Sequence, residues 1–142
     1  MITAIGHAAF NVSNLDQSLD FYTRQLGFSE MFRLYNDEGV LWIIYLRVSD
    51  TVYLELFPSE SVEPNKGSYS HLCLEVDDMQ ATVEELKSRG VSFDSENTQG
   101  KDSNRQSWIR DPDDNRIELM EMSPTSMQRQ AIERLRAEKA AG

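Results

Sequence analysis

Two histidines and two glutamates are the residues of this chain best placed to do chemistry. His7 opens "HAAFNV", His71 opens "HLCLEV", Glu55 sits inside "VYLELF" and Glu118 inside "RIELM". Alternation along "VYLELF" sets Tyr53, Glu55 and Phe57 on one strand face and Val52, Leu54 and Leu56 on the other. Glu55 therefore lies among large apolar side chains rather than on a solvated face. Burying an ionised carboxylate costs several kcal/mol unless a cation or donors compensate it. A partner is called for, and the two imidazoles are the natural candidates to share one. Two imidazoles and two carboxylates make a mixed nitrogen and oxygen set suited to a first-row divalent ion, whose remaining positions would take water or substrate oxygens.

Those four residues need elements that bring them together, and the chain supplies them twice. The stretch 3–12 reads as a strand. "SNLDQSLDFYTRQLG" reads as a helix with Asn14 as cap, a Leu15, Leu19, Tyr22 and Leu26 stripe, and Gly27 as stop. Strands follow at 28–35, 40–48 and 51–57, separated by turns at 36–39 and 49–50. A polar linker, "PSESVEPNKGS", spans 58–68. The pattern then restarts: "YSHLCLEV" as a strand, "DDMQATVEELKSRG" as a helix with a Met79, Val83 and Leu86 stripe, and strands near 91–94, 105–110 and 116–122. Each half reads as one strand, one helix and three strands, an internal repeat.

Individual residues test that repeat. A shift of 64, the step from His7 to His71, also aligns Val12 with Val76 and Asn14 with Asp78. A shift of 63 lays "YLELF" over "RIELM" and Glu55 over Glu118. An isolated strand histidine is most often structural, and a lone strand glutamate usually sits on a wet edge. Here the whole histidine content and two carboxylates fall on equivalent positions, and that coincidence favours a metal site. A vacated cup inherited from a metal-binding ancestor is the competing reading.

Totals narrow the class. The chain has 142 residues, enough for one domain with a real core, and it lacks an apolar run able to cross a bilayer. The mildly apolar start has no basic segment and is interrupted by His7, so it does not read as a signal peptide. A single cysteine, Cys73, excludes an internal disulfide and suits a reducing cytoplasm. The net charge of −10 argues against nucleic-acid and anionic-membrane partners. It does not argue against an anionic substrate, because a bound metal reverses the local field.

The stretches "HAAFNVSNLDQSLDFYTRQLGF", "HLCLEVDDMQATVEELKSRG" and "WIRDPDDNRIELMEM" resemble the vicinal oxygen chelate superfamily over about residues 3–122. That group includes glyoxalase I, fosfomycin-resistance proteins, methylmalonyl-CoA epimerase and extradiol dioxygenases. The resemblance implies an α+β fold in which two βαβββ modules, about 1–60 and 69–122, form an open, barrel-like metal cup in one domain, with 123–142 as a helical tail. It implies a homodimer, and it puts His7, Glu55, His71 and Glu118 at the four metal-ligand positions. The His/Glu/His/Glu set is most similar to that of glyoxalase I (lactoylglutathione lyase). The implied metal is Ni, Co, Mn, Fe or Zn, and the implied reaction is a proton shuttle on a small substrate with adjacent oxygens. Glu118 or Glu55 would be the base, Glu118 by the closer resemblance. The alternatives are a small-molecule (antibiotic) resistance or sequestering protein and, further off, a dioxygenase or epimerase.

The departures concern specificity. Glutathione-dependent relatives have an arginine where Asn11 stands and an asparagine where Ser59 stands. The usual glycine of the "DPDGN" turn is Asp114, which tolerates a left-handed conformation. Trp42 and Trp108 read as cup lining or as core, with core the commoner outcome for strand tryptophans. Arg110 and Arg116 read as carboxylate holders or rim salt bridges. Cys73 reads as an ordinary buried thiol, and the apolar stripe of the tail as a packing or dimer-capping helix.

Overall fold

The computed structural model describes residues 4–63 and 69–142. Residue 3 of the first expected strand and residues 64–68 of the expected linker lie outside the described residues. The chain divides into two compact units, one of 1–68 with 111–115 and one of 69–110 with 116–142.

In the first unit the order is β1 (His7–Val12), α1 (Leu15–Leu19) continuing as a wider π turn (Asp20–Gln25), β2 (Ser29–Tyr35), β3 (Leu41–Arg47) and β4 (Tyr53–Pro58). The four strands form an open sheet in the order β1-β4-β3-β2. β1 lies parallel to β4 while β3 is antiparallel to both of its neighbours. Phe10 and Val12, Ile44 and Leu46, and Leu54 and Leu56 are all buried, which makes one sheet face the core face. This is the alternation the sequence dictates.

The helix departs from the expected stripe. Asn14 does cap it, accepting from the Gln17 amide at 3.1 Å, and Gly27 ends it at φ +83°. The buried side chains, however, are Ser18, Phe21 and Tyr22. These three keep the i, i+3, i+4 spacing of a helical face, one on which Tyr22 is the only buried member of the expected stripe. The wide turn, closed by the Leu26 amide on the Phe21 carbonyl at 2.9 Å, belongs to the same stretch that buries both rings.

The second unit repeats the order with β5 (Leu72–Val76), α2 (Met79–Ser88), β6 (Phe93–Gln99), β7 (Arg105–Arg110) and β8 (Arg116–Glu121), then adds α3 (Met127–Ala141). Its sheet runs β5-β8-β7-β6, the same arrangement as in the first unit. Asp78 caps α2 through the Ala81 amide, and Met79, Val83 and Leu86 are its buried stripe, as the spacing predicts. Glu121 adds a second acceptor at that helix start, 2.6 Å from the Met79 amide. β6 is longer than expected because its polar residues, unremarkable in sequence, pair with β7.

The 111–115 turn belongs to the first unit. Asp111 accepts from the Tyr22 hydroxyl at 2.7 Å, from Asn115 Nδ2 at 2.9 Å, and from the amides of Asp113 and Asn115. Asp113 accepts from the Ser13 amide and hydroxyl. Asp114 stands at φ +65°, the left-handed conformation its position requires.

Candidate metal centre

Both histidine and glutamate pairs lie on the sheet face opposite the core residues, one pair in each unit. In the first unit the parallel register of β1 on β4 sets Ala9 beside Glu55, and β3 sets Tyr45 on its other side. Glu55 is only 9% exposed, which answers the question its sequence raised: the carboxylate is inside the sheet, not on an edge. His7 Nε2 stands 3.6 Å from its Oε2. The His7 ring is stacked on Tyr53 at 5.0 Å between centroids. Burial, the Glu55 charge and its hydrogen bond together raise the Tyr45 phenol above its ordinary value.

The second unit rebuilds the arrangement at equivalent positions. Register sets Cys73 and Trp108 on either side of Glu118, as Ala9 and Tyr45 flank Glu55. His71 Nε2 stands 3.1 Å from Glu118 Oε2. Ser70 Oγ lies 3.0 Å from His71 Nδ1. When Nδ1 carries the proton and donates it to Ser70, the Nε2 lone pair faces the carboxylate, an outer-sphere arrangement common behind metal-ligating histidines. The His71 ring meets Trp108 edge-on at 4.9 Å, and the Arg116 guanidinium lies 4.3 Å over the same indole.

The donor chemistry fits a first-row ion. Two ligand atoms bound at about 2.1 Å stand roughly 3.0 Å apart at a right angle and roughly 3.4 Å apart in a tetrahedron. The observed separations of 3.1 and 3.6 Å lie close to both values. Among the described residues no group of three His, Cys, Asp or Glu side chains is set to hold a metal ion, and each unit carries one imidazole–carboxylate pair.

The subsidiary expectations divide. Cys73 is exposed rather than buried, because it points to the same face as His71 and Glu118. Partial desolvation, followed by the Glu118 charge, pushes its thiol up to about 11, so it is not an activated nucleophile. Trp42 is exposed and not core, while Trp108 is half-buried under Arg116. Arg110 forms an ion pair with Asp94 at 2.7 Å, the rim salt bridge. Sequence reasoning did not single out Tyr45 and Tyr53. The signal was present, since the 63-residue shift maps them onto Trp108 and Arg116.

Residues 4–119 match the family model of the Glyoxalase/Bleomycin resistance protein/Dioxygenase superfamily. The chain belongs to this superfamily. It is 30% identical over 121 residues to the lactoylglutathione lyase of Neisseria meningitidis, covering 81% of this chain and 88% of that one. It is 26% identical over 126 residues to the uncharacterized protein YwkD of Bacillus subtilis, covering 85% of this chain and 98% of that one. Among solved structures, TnmS3, an antibiotic binding protein from Streptomyces sp. CB03234, superposes with a TM-score of 0.68. It is 25% identical, with 86% of this chain and 98% of that one covered. This superfamily therefore offers both a catalytic and a binding precedent for one fold.

Proposed function

We propose that the protein is a metal-dependent lyase or isomerase of glyoxalase I type, acting on a small substrate with adjacent oxygens such as the hemithioacetal of a 2-oxoaldehyde. The observation that carries this reading is the duplicated pair, an imidazole Nε2 facing a carboxylate Oε2 at equivalent places of two sheets. His7, Glu55, His71 and Glu118 would hold the ion. Bound there, a divalent ion supplies Lewis-acid stabilisation of the negative charge that collects on the substrate oxygens as a C–H proton leaves. Glu118 takes that proton from one carbon and returns it to the neighbouring carbon, so no net proton is gained or lost. Glu55 is the alternative base, facing its own ring nitrogen, His7 Nε2, at 3.6 Å. His71 keeps its orientation through Ser70 Oγ, and Tyr45 adds a hydroxyl beside Glu55.

The likeness to an antibiotic binding protein supports a second reading, capture of a small molecule without turnover. Elemental analysis of purified protein, followed by a methylglyoxal assay with several thiols, separates the two. Stoichiometric metal together with turnover of a hemithioacetal establishes the first. Metal-free protein that retains a tight ligand and turns nothing over establishes the second.

A further inference from the structure

The two units fasten their histidines differently. In the first, His7 is part of the ladder: it opens β1 and pairs with Tyr53 of β4. In the second, the ladder starts one residue later, at Leu72 on Ile117, so His71 stands just outside β5. Backbone beyond the last rung of a sheet opens more readily than backbone within it. An imidazole that must meet an ion at about 2.1 Å tolerates little of that movement. His71 nevertheless faces Glu118 at 3.1 Å, so something other than strand pairing holds it.

Tyr69 supplies the missing rung. Its hydroxyl accepts from the Leu72 amide at 3.0 Å and donates to the Arg116 carbonyl at 2.8 Å. One side-chain group, using both its acceptor and its donor, thus joins β5 to β8 where the ladder has not begun. The same contact closes residues 69–72 into a short loop that contains His71. Ser70, in that loop, meets His71 Nδ1 at 3.0 Å. Arg116, whose carbonyl the tyrosine takes, sends its guanidinium over Trp108, and Trp108 meets the His71 ring edge-on. In the first unit the shift of 64 puts Ile5, 82% exposed, and Gly6 where Tyr69 and Ser70 stand. A histidine already in the ladder does without the hydroxyl.

We propose that Tyr69 is a positioning residue for the second unit's pair, its hydroxyl bridging β5 and β8 so as to hold His71 opposite Glu118. It acts through the backbone that carries the ring. The inference rests on the proposed function only in taking His71 as a metal ligand. A tyrosine that served merely to end the linker would leave the pair undisturbed when its hydroxyl is removed.

The test compares the full chain with its Tyr69→Phe variant, which keeps the ring. Both are first stripped of metal with a chelator. Nuclear Overhauser contacts between the His71 and Trp108 rings and exchange of the Leu72 amide report the geometry without metal, and titration with Co2+ reports its consequence. Tyr69→Phe is expected to weaken the ring contact, to lower the protection of Leu72 and to bind cobalt about tenfold less tightly. That is the lower end of outer-sphere effects, because the hydroxyl does not act on the imidazole itself. Tyr22→Phe, which also removes a hydroxyl bond but from the first unit, should lose stability and bind cobalt as the parent does. Ring contacts and Leu72 exchange unchanged in Tyr69→Phe overturn the proposal. So does a cobalt affinity equal to that of a metal-binding parent, or an equal loss in Tyr22→Phe, which would trace the effect to stability alone. A parent chain that holds no cobalt removes the metal reading instead, and the ring contact and amide exchange of the metal-free proteins then decide this one by themselves.

Discussion

At the residue scale the decisive feature is a carboxylate that cannot be left alone. Glu55 is nearly as buried as the apolar residues beside it, and it faces His7, which is charged only when protonated. If the four proposed ligands share one ion, each single alanine variant should stay folded and lose metal affinity by more than about a hundredfold, beyond the roughly 10- to 100-fold that outer-sphere partners contribute. Metal content unchanged in the Glu55→Ala and Glu118→Ala variants, read by elemental analysis, would remove the assignment. Glu118→Gln, which keeps shape but not basicity, should lower turnover far more than it lowers binding of a substrate analogue. A second residue-scale prediction concerns glutathione. Asn11 offers only a neutral hydrogen bond where related lyases have a cationic one, and charge-assisted bonds are worth roughly 1.5–3 kcal/mol. Glutathione hemithioacetal should therefore be a poor substrate by about tenfold or more, and Asn11→Arg should improve it. Efficient glutathione turnover by the parent protein would contradict this and direct attention to Arg116.

At the element scale two polar anchors determine how helices start and turns sit. Tyr22 is fully buried, and its hydroxyl donates to Asp111, itself nearly inaccessible. Tyr22→Phe removes one donor from a buried carboxylate without changing ring packing, so it should cost about 1–3 kcal/mol in chemical denaturation. A change below about 0.3 kcal/mol would mean that Asn115 and the turn amides satisfy Asp111 unaided. Asp102 anchors the start of α3: it accepts from Gln128 Nε2 and from the amide and side chain of Asn104, and its carbonyl accepts from the Met127 amide. The Gln128 bond, then the Asn104 amide, hold its carboxyl below the ordinary aspartate value of 3.8. The stabilisation it lends is thus present above that value and lost as the pH falls through the lower folded-state value. Protection factors of the α3 amides, with the intrinsic rate at each pH divided out, should fall on acidification below about pH 4 in the parent, but be low already at neutral pH in Asp102→Ala. Equal protection in both proteins at neutral pH would show that α3 does not depend on this anchor.

At the scale of the whole molecule, repetition matters more than any single contact. Two sheets with one strand order let the same register argument place a glutamate between two neighbouring strands in each unit. α3 has no buried side chain, and Met127 and Leu135 are exposed on it. An apolar stripe without a cover and the family's habit of pairing lead us to expect a twofold homodimer. Sedimentation showing only monomer at high micromolar concentration would contradict that, with the two His–Glu pairs unaffected. No described helix is long and apolar enough to cross a membrane.

Much of this was legible in the one-dimensional pattern. Strand alternation is a backbone property, so the core face of "YLELF" and the opposite face of Glu55 follow from spacing alone. Cap and stop residues act locally, so Asn14, Asp78 and Gly27 mark their helices without tertiary help. The equivalence of His7 with His71 and of Glu55 with Glu118 came from comparing the chain with itself. Tertiary structure decided what depends on contacts distant in sequence. It put Tyr22 on Asp111, 89 residues away. It brought Cys73 to the exposed face beside Glu118, where partial desolvation, and then the neighbouring charge, raises its thiol. It also assembled four rings from four strands, those of His7, Tyr53, Tyr45 and Phe32, into one row, which no periodicity announces because the register between strands, and not the order along any one of them, sets the rings side by side.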